Sequence, residues 1–260
     1  MEMLLKQDFA YTPKGKNRPL HIFLPDGIEA GEQLPVMYFF DGHNLFRDED
    51  ATYGKCWGLA DFLSGWHRKM IIVGMECGHE GDERLSEYLP YSVRRGMLAR
   101  FAPMGEETMQ WILEEVKPWA DRNLPTQPLR ECTGIGGSSM GGLMALYGVL
   151  RHNRFFSKAA CLSSAVGFCM SGVRREIKTC EMDADTRVFL SWGTREARGD
   201  RDDKSPDRES WMARANTEIA YALSDRGCRV RLHCERGGGH SEADWEKQVP
   251  EVMRFLWDGN

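Results

Sequence analysis

Nowhere in the 260 residues do about 18 apolar side chains run together, the length that a membrane-spanning helix requires. The 39 acids and 34 Lys and Arg residues are interspersed, so the net charge of −5 comes with no block of one sign and no stripe for a phosphate backbone. Neither nucleic acid nor membrane is therefore an expected partner. There is no C-x-x-C pair and no H-E-x-x-H, which removes the common zinc patterns, and no metal or other cofactor is expected. The eight cysteines are scattered at 56, 77, 132, 161, 169, 180, 228 and 234, several of them inside apolar runs, and read as buried thiols rather than a disulfide framework. The first 14 residues mix acids and bases with no apolar stretch long enough for a secretory signal, so a cytoplasmic location is expected. No repeat or low-complexity tract is present, and nothing in the sequence sets an oligomeric state.

What is present is an alternation. Short apolar or β-branched runs at Leu20–Leu24, Pro35–Phe40, Met70–Met75, Cys132–Gly136, Lys158–Leu162, Arg187–Ser191 and Cys228–Cys234 are bounded by turn residues and read as strands. Between them, Met109, Ile112, Leu113 and Val116 recur at helical spacing, with Pro118 expected to kink or end that helix. Further helices are expected at Gly141–Leu150, at Ser210–Ser224 and through Trp245, Val249, Val252, Met253 and Leu256. Arg195–Pro206, with eight charged residues, is too polar for core and reads as an exposed loop. The pattern predicts one α/β domain over residues 1–260, built on a mostly parallel sheet with helices on both faces.

One motif falls where a strand meets a helix. In Gly136-Gly137-Ser138-Ser139-Met140-Gly141-Gly142, only Gly137, Ser139 and Gly141 fit G-x-S-x-G. A nucleophilic serine needs a strained strand-to-helix turn, and side chains two positions either side would collide there. The helix that follows aims its free N–H groups at the serine, so the Met140 amide can bind a developing oxyanion. No lysine is placed as a phosphate-binding Walker loop requires.

Serine is a poor nucleophile without a base, and in the strand-turn-helix hydrolase pattern the histidine comes last in chain order. His240 follows Gly237-Gly238-Gly239 directly after the last strand and is the candidate base, whereas His233 lies inside that strand and reads as structural. The third member should be a carboxylate on the loop past Arg187–Ser191, where it fixes the imidazole tautomer. Glu196 is the first acid there; Asp200 is the runner-up, with Asp202 and Asp203 close behind.

Together with that elbow, Tyr38-Phe39-Phe40-Asp41-Gly42-His43-Asn44-Leu45-Phe46, Arg84-Leu85-Ser86-Glu87-Tyr88-Leu89-Pro90, Gly193-Thr194-Arg195-Glu196 and Gly238-Gly239-His240-Ser241-Glu242-Ala243-Asp244-Trp245 resemble the esterase branch of the α/β hydrolases. The likeness is to carbohydrate esterase family 1, enterochelin esterases and mycolyltransferases, and it covers most of the chain. It implies an α/β-hydrolase fold, a second oxyanion amide from the backbone N–H of His43, and support for Glu196 as the acid. It places Arg84–Pro90 beside the active site, where Arg84 is expected either to pair with Glu87 or to meet substrate. Trp57 has two readings, stacking on a sugar or aromatic acyl group and packing in the core.

The expected chemistry is hydrolysis of a small-molecule acyl ester, of a carbohydrate or a phenolic acid, through a Ser139-His240-Glu196 triad and an acyl-enzyme, with activity falling on acidification because an imidazolium cannot accept a proton. The alternatives are an acyltransferase using the same acyl-serine, a serine peptidase, for whose usual additional recognition domain 260 residues leave little room, and a non-catalytic binding module.

Overall fold

The computed structural model describes residues 2–196 and 210–258. Eight strands form the main sheet: β1 (Met3–Gln7), β2 (Leu20–Leu24), β3 (Val36–Phe40), β4 (Ile71–Met75), β5 (Thr133–Ser138), β6 (Lys158–Leu162), β7 (Arg187–Gly193) and β8 (Arg229–Glu235). Their order across the sheet is β1-β2-β4-β3-β5-β6-β7-β8. Strand β2 runs antiparallel to both neighbours, and every pairing from β4 onward is parallel. All seven strands read from the sequence are present. β1 is the one of the eight not foreseen: an edge strand with most of its residues exposed carries no alternation to read.

The central strands are buried on both faces, which is why they read as near-continuous apolar runs. In β3, Val36, Tyr38 and Phe40 enter one core while Met37 and Phe39 enter the other. The first core lies under α5 (Met140–Arg151), α6 (Met170–Thr179), α7 (Trp211–Asp225) and the long helix made by α3 (Gly105–Trp111) and α4 (Lys117–Asn123). The second lies under α1 (Leu59–Ser64) and α8 (Glu242–Met253), while a short helix, α2 (Glu83–Glu87), sits in the loop that follows β4. Helices thus cover both faces, the α/β-hydrolase arrangement expected from the sequence.

Pro118 does not end its helix. A π-turn at Ile112–Val116 joins α3 to α4, and Pro118 falls in the first turn of α4, where a missing N–H and a fixed φ are tolerated, so the helix continues to Asn123. Ser210 caps α7 by accepting a hydrogen bond from the Ala213 N–H at 3.1 Å. All eight cysteines are free thiols, six of them buried. Among the described residues no helix is long and apolar enough to cross a membrane.

Candidate active site

Strands β3, β5, β6, β7 and β8 are successive and parallel, so their carboxyl ends open onto one edge of the sheet. Ser139 leaves β5 with φ 57° and ψ −119° and starts α5. That turn is possible because strand and helix close on each other through glycine: a Cβ on Gly137 would lie 2.7 Å from the Gly141 carbonyl carbon, and one on Gly141 would lie 2.9 Å from Phe40 Cβ. The backbone of Ser139 is tied to the end of β6, donating to Leu162 O at 2.9 Å and accepting from Ala165 N at 2.9 Å.

Past β7, the Glu196 carboxylate turns inward, with its side chain only 3% exposed. Oε1 accepts hydrogen bonds from Ser163 Oγ and from the Gly193 N–H, each at 2.6 Å. Oε2 is left for the imidazole, 3.2 Å from His240 Nδ1. The indole of Trp245, on α8, donates to Ser163 Oγ at 2.8 Å and meets the His240 ring edge-on at 5.1 Å. Imidazole and carboxylate are therefore held by one short network, and Nε2 makes no hydrogen bond among the described residues. Ser139 Oγ makes no hydrogen bond to His240 in this free chain; such contacts commonly tighten only around bound substrate. The runner-up acids Asp200, Asp202 and Asp203 lie outside the described residues.

On the other side of the serine, Asp41 follows β3 in the left-handed region and opens the tight turn Gly42–Asn44. Neither the His43 N–H nor the Met140 N–H has an acceptor among the described residues. Arg84 is not paired with Glu87. Its Nε and its terminal nitrogen grip the two Asp41 oxygens at 2.6 and 2.7 Å, and its charge sits 5.2 Å from the Tyr88 ring centre. Burial alone would raise the Asp41 carboxyl, but the Arg84 charge and its hydrogen bonds hold it below the ordinary carboxylate range. Glu87 instead receives Arg18 at 2.6 Å and the Gly78 N–H at 2.9 Å. The pairing with Glu87 is corrected accordingly: Arg84 grips Asp41 instead and so clamps the turn.

Trp57 is likewise corrected to packing. It is 3% exposed, wedged between Phe39 at 5.7 Å and Trp245 at 5.8 Å, so no face is free to stack. The His43 imidazole donates to or accepts from Thr52 Oγ1 at 2.9 Å through Nε2, and burial pushes its pKa down to about 4, leaving the ring neutral at neutral pH. Glu242, two residues past His240, is buried, takes the Asn44 amide at 3.3 Å, and is raised by that burial.

Sequence reasoning missed two positions. Ser163, at φ 46°, links Trp245 to Glu196, and nothing in the sequence around it marks the role. The second is a groove of about 530 Å³ beyond Ala165, lined by Tyr91, Arg94, Arg95, Phe168 and Arg175. None of these three arginines has a carboxylate partner among the described residues.

The sequence profile of the family described as Putative esterase matches residues 13–256. The chain is 22% identical over 253 residues to the uncharacterized protein YbbA of Bacillus subtilis (strain 168), covering 95% of each. It is 24% identical over 295 residues to Esterase Rv1288 of Mycobacterium tuberculosis (strain ATCC 25618 / H37Rv), a match that takes in 96% of this chain and 57% of that longer one. Among solved structures, the IroE-like serine hydrolase from Shewanella oneidensis aligns with a TM-score of 0.75 at 18% identity, covering 99% of this chain and 80% of that one. With nearly its whole length matched by the profile, the chain belongs to the Putative esterase family and is an ester-hydrolysing enzyme.

Proposed function

We propose that the chain is a serine carboxylesterase in which Ser139 attacks the ester carbonyl while His240 takes its proton. Glu196 orients the imidazole and stabilises the imidazolium that forms, and the Met140 and His43 N–H groups receive the oxyanion. His240 then protonates the departing alcohol, and water repeats the two steps on the acyl-enzyme to release the acid. The observation that carries this reading is the Glu196–His240 pair, buried on the acid side and open on the base side, at the same sheet edge as the strained Ser139.

The groove supports a narrower substrate class. Three arginines free of carboxylate partners among the described residues, beside the half-exposed ring of Phe168, suit an acyl or alcohol part that is aromatic and presents hydrogen-bond-accepting oxygens, such as the hydroxyls of a phenolic acid. The test is steady-state hydrolysis of p-nitrophenyl esters alongside esters of phenolic acids. Wild type should turn over both and favour the phenolic esters, and Arg95→Ala together with Arg175→Ala should erase that preference while leaving simple esters untouched. Equal rates for both classes in wild type would remove the phenolic-acid part of the proposal; no turnover of any ester by folded protein would remove the esterase mechanism.

A further inference from the structure

The turn after β3 carries an imidazole that ester attack does not use. His43 is 6% exposed; its Nε2 is occupied by Thr52 Oγ1, and its Nδ1 is buried with no hydrogen-bond partner. Buried polar atoms almost always find a partner, so this ring nitrogen is open to an ion or a water, and neighbouring ligating groups decide between them. Two more ligating side chains reach the same spot from the loop after β4. Cys77 is buried, His79 is exposed, and one ligating atom from each of His43, Cys77 and His79 lies within 4.8 Å of the others.

We propose that His43, Cys77 and His79 form a binding site for one divalent cation of zinc type. Two imidazole nitrogens and one thiolate are a borderline-soft donor set that suits zinc and cobalt and disfavours magnesium or calcium. His43 contributes Nδ1, its free nitrogen. His79 also contributes Nδ1, because its Nε2 lies 2.8 Å from Glu76 Oε1. Each ligating ring is thus oriented through its other nitrogen, His43 by a hydroxyl and His79 by a carboxylate, the outer-shell arrangement that metal-bound histidines use. Metal–nitrogen and metal–sulfur bonds of about 2.0–2.3 Å place tetrahedral ligand atoms roughly 3.3–3.8 Å apart, so the two loops close by about 1 Å on binding. His79, on the exposed loop, is the ligand with room to make that movement and the route by which an ion enters.

The charge balances. On binding, the Cys77 thiol releases its proton to solvent, and the thiolate together with the Glu76 carboxylate offsets the two positive charges, while the Asp41 carboxylate that the thiol faces is already offset by Arg84; nothing is oxidised or reduced. A bound ion would pin the His43 turn to the loop after β4. Any effect of the metal on ester hydrolysis rests on the reading of the His43 N–H as an oxyanion donor, but occupancy of the site does not.

The full-length protein, freed of metal by chelator and dialysis, is titrated with Zn²⁺ by calorimetry and with Co²⁺ by absorption spectroscopy. Wild type should bind one equivalent of either, and Co²⁺ should show a thiolate-to-metal charge-transfer band with the intense visible bands of tetrahedral coordination. His79→Ala and Cys77→Ser should each weaken binding at least ~10-fold, and Cys77→Ser should abolish the charge-transfer band. Because Cys77 is buried, His79→Ala, with folding checked by circular dichroism, keeps the test decisive. Ser139→Ala should titrate like wild type, so failure of the esterase mechanism and failure of the metal site give different results. No stoichiometric binding, or binding that His79→Ala leaves unchanged, overturns the proposal.

Discussion

At the carboxyl end of the sheet, Asp41, Ser139 and Ser163 leave β3, β5 and β6 with φ of 57°, 57° and 46°, and they are the non-glycine residues at positive φ among the described residues. At the amino end, Arg130 and Lys158 sit in ordinary backbone with several partners each. Arg130 reaches Asn153 O at 2.6 Å, Asp185 at 2.6 Å, Asn153 Oδ1 at 2.8 Å and Thr186 Oγ1 at 2.9 Å. Lys158, at the start of β6, reaches Glu131 O at 2.5 Å and Ser157 Oγ at 2.9 Å. Left-handed non-glycine residues each cost about 1–3 kcal/mol and persist only where the surroundings over-determine them. The sheet therefore concentrates left-handed backbone strain at one end and multiply hydrogen-bonded cations at the other. Substitutions at the carboxyl end should change rate at nearly constant stability, and those at the amino end should do the reverse.

The largest effect is expected for His240→Ala, which should lower kcat for p-nitrophenyl acetate by roughly 10⁵–10⁶-fold with little change in melting temperature. A loss below 100-fold would break the comparison at its strongest point. Glu196→Gln keeps the shape but replaces an acceptor that fixes the imidazole tautomer; kcat should drop on the order of 10³–10⁴-fold. Arg130→Ala should act in the opposite way, costing about 2–4 kcal/mol in urea unfolding through the polar groups it strands, with kcat of the folded fraction unchanged.

Lys158 sharpens the contrast through pH. Burial depresses its pKa to about 8, whereas the unfolded side chain titrates near 10.5. The penalty for the buried charge is fully present below pH 8, and it is relieved as pH rises from 8 toward 10.5, where the unfolded chain holds the extra proton. Wild type should therefore gain on the order of 3 kcal/mol relative to Lys158→Met across that interval, read by denaturant unfolding at each pH. A constant difference would mean the ammonium is not desolvated. The smallest effect is expected for Ser163→Ala, about 10-fold in kcat, because Glu196 keeps the Gly193 N–H and His240 after losing the hydroxyl.

Ser139 was legible because its signal is local: two glycines and a serine spaced for one turn. The Glu196–His240 contact was foreshadowed by chain order and strand ends, although Asp200, Asp202 and Asp203 on the same loop stayed open on those grounds alone. Arg84 was misread toward Glu87, its neighbour in sequence, when the partner that wins is Asp41 from another strand end, which only the sheet order brings within reach. Trp57 stayed open between packing and stacking because its burial is decided by Trp245, far along the chain on α8. The His43, Cys77 and His79 cluster escaped every spacing rule for metals, since its ligands come from two loops that meet across β3 and β4. The seven strand assignments and those of α5 and α7, resting on apolar runs and helical spacing, carried over with shifts of one or two residues at the ends; β1, α1, α2 and α6 lacked such a pattern or lay unmarked between turns.

The most direct test of the central claim is fluorophosphonate labelling of the folded protein followed by peptide mapping. The account requires a single adduct on Ser139, absent in Ser139→Ala and strongly slowed in His240→Ala. Labelling at Ser138 or Ser163 instead, or no adduct on folded wild type, would contradict it.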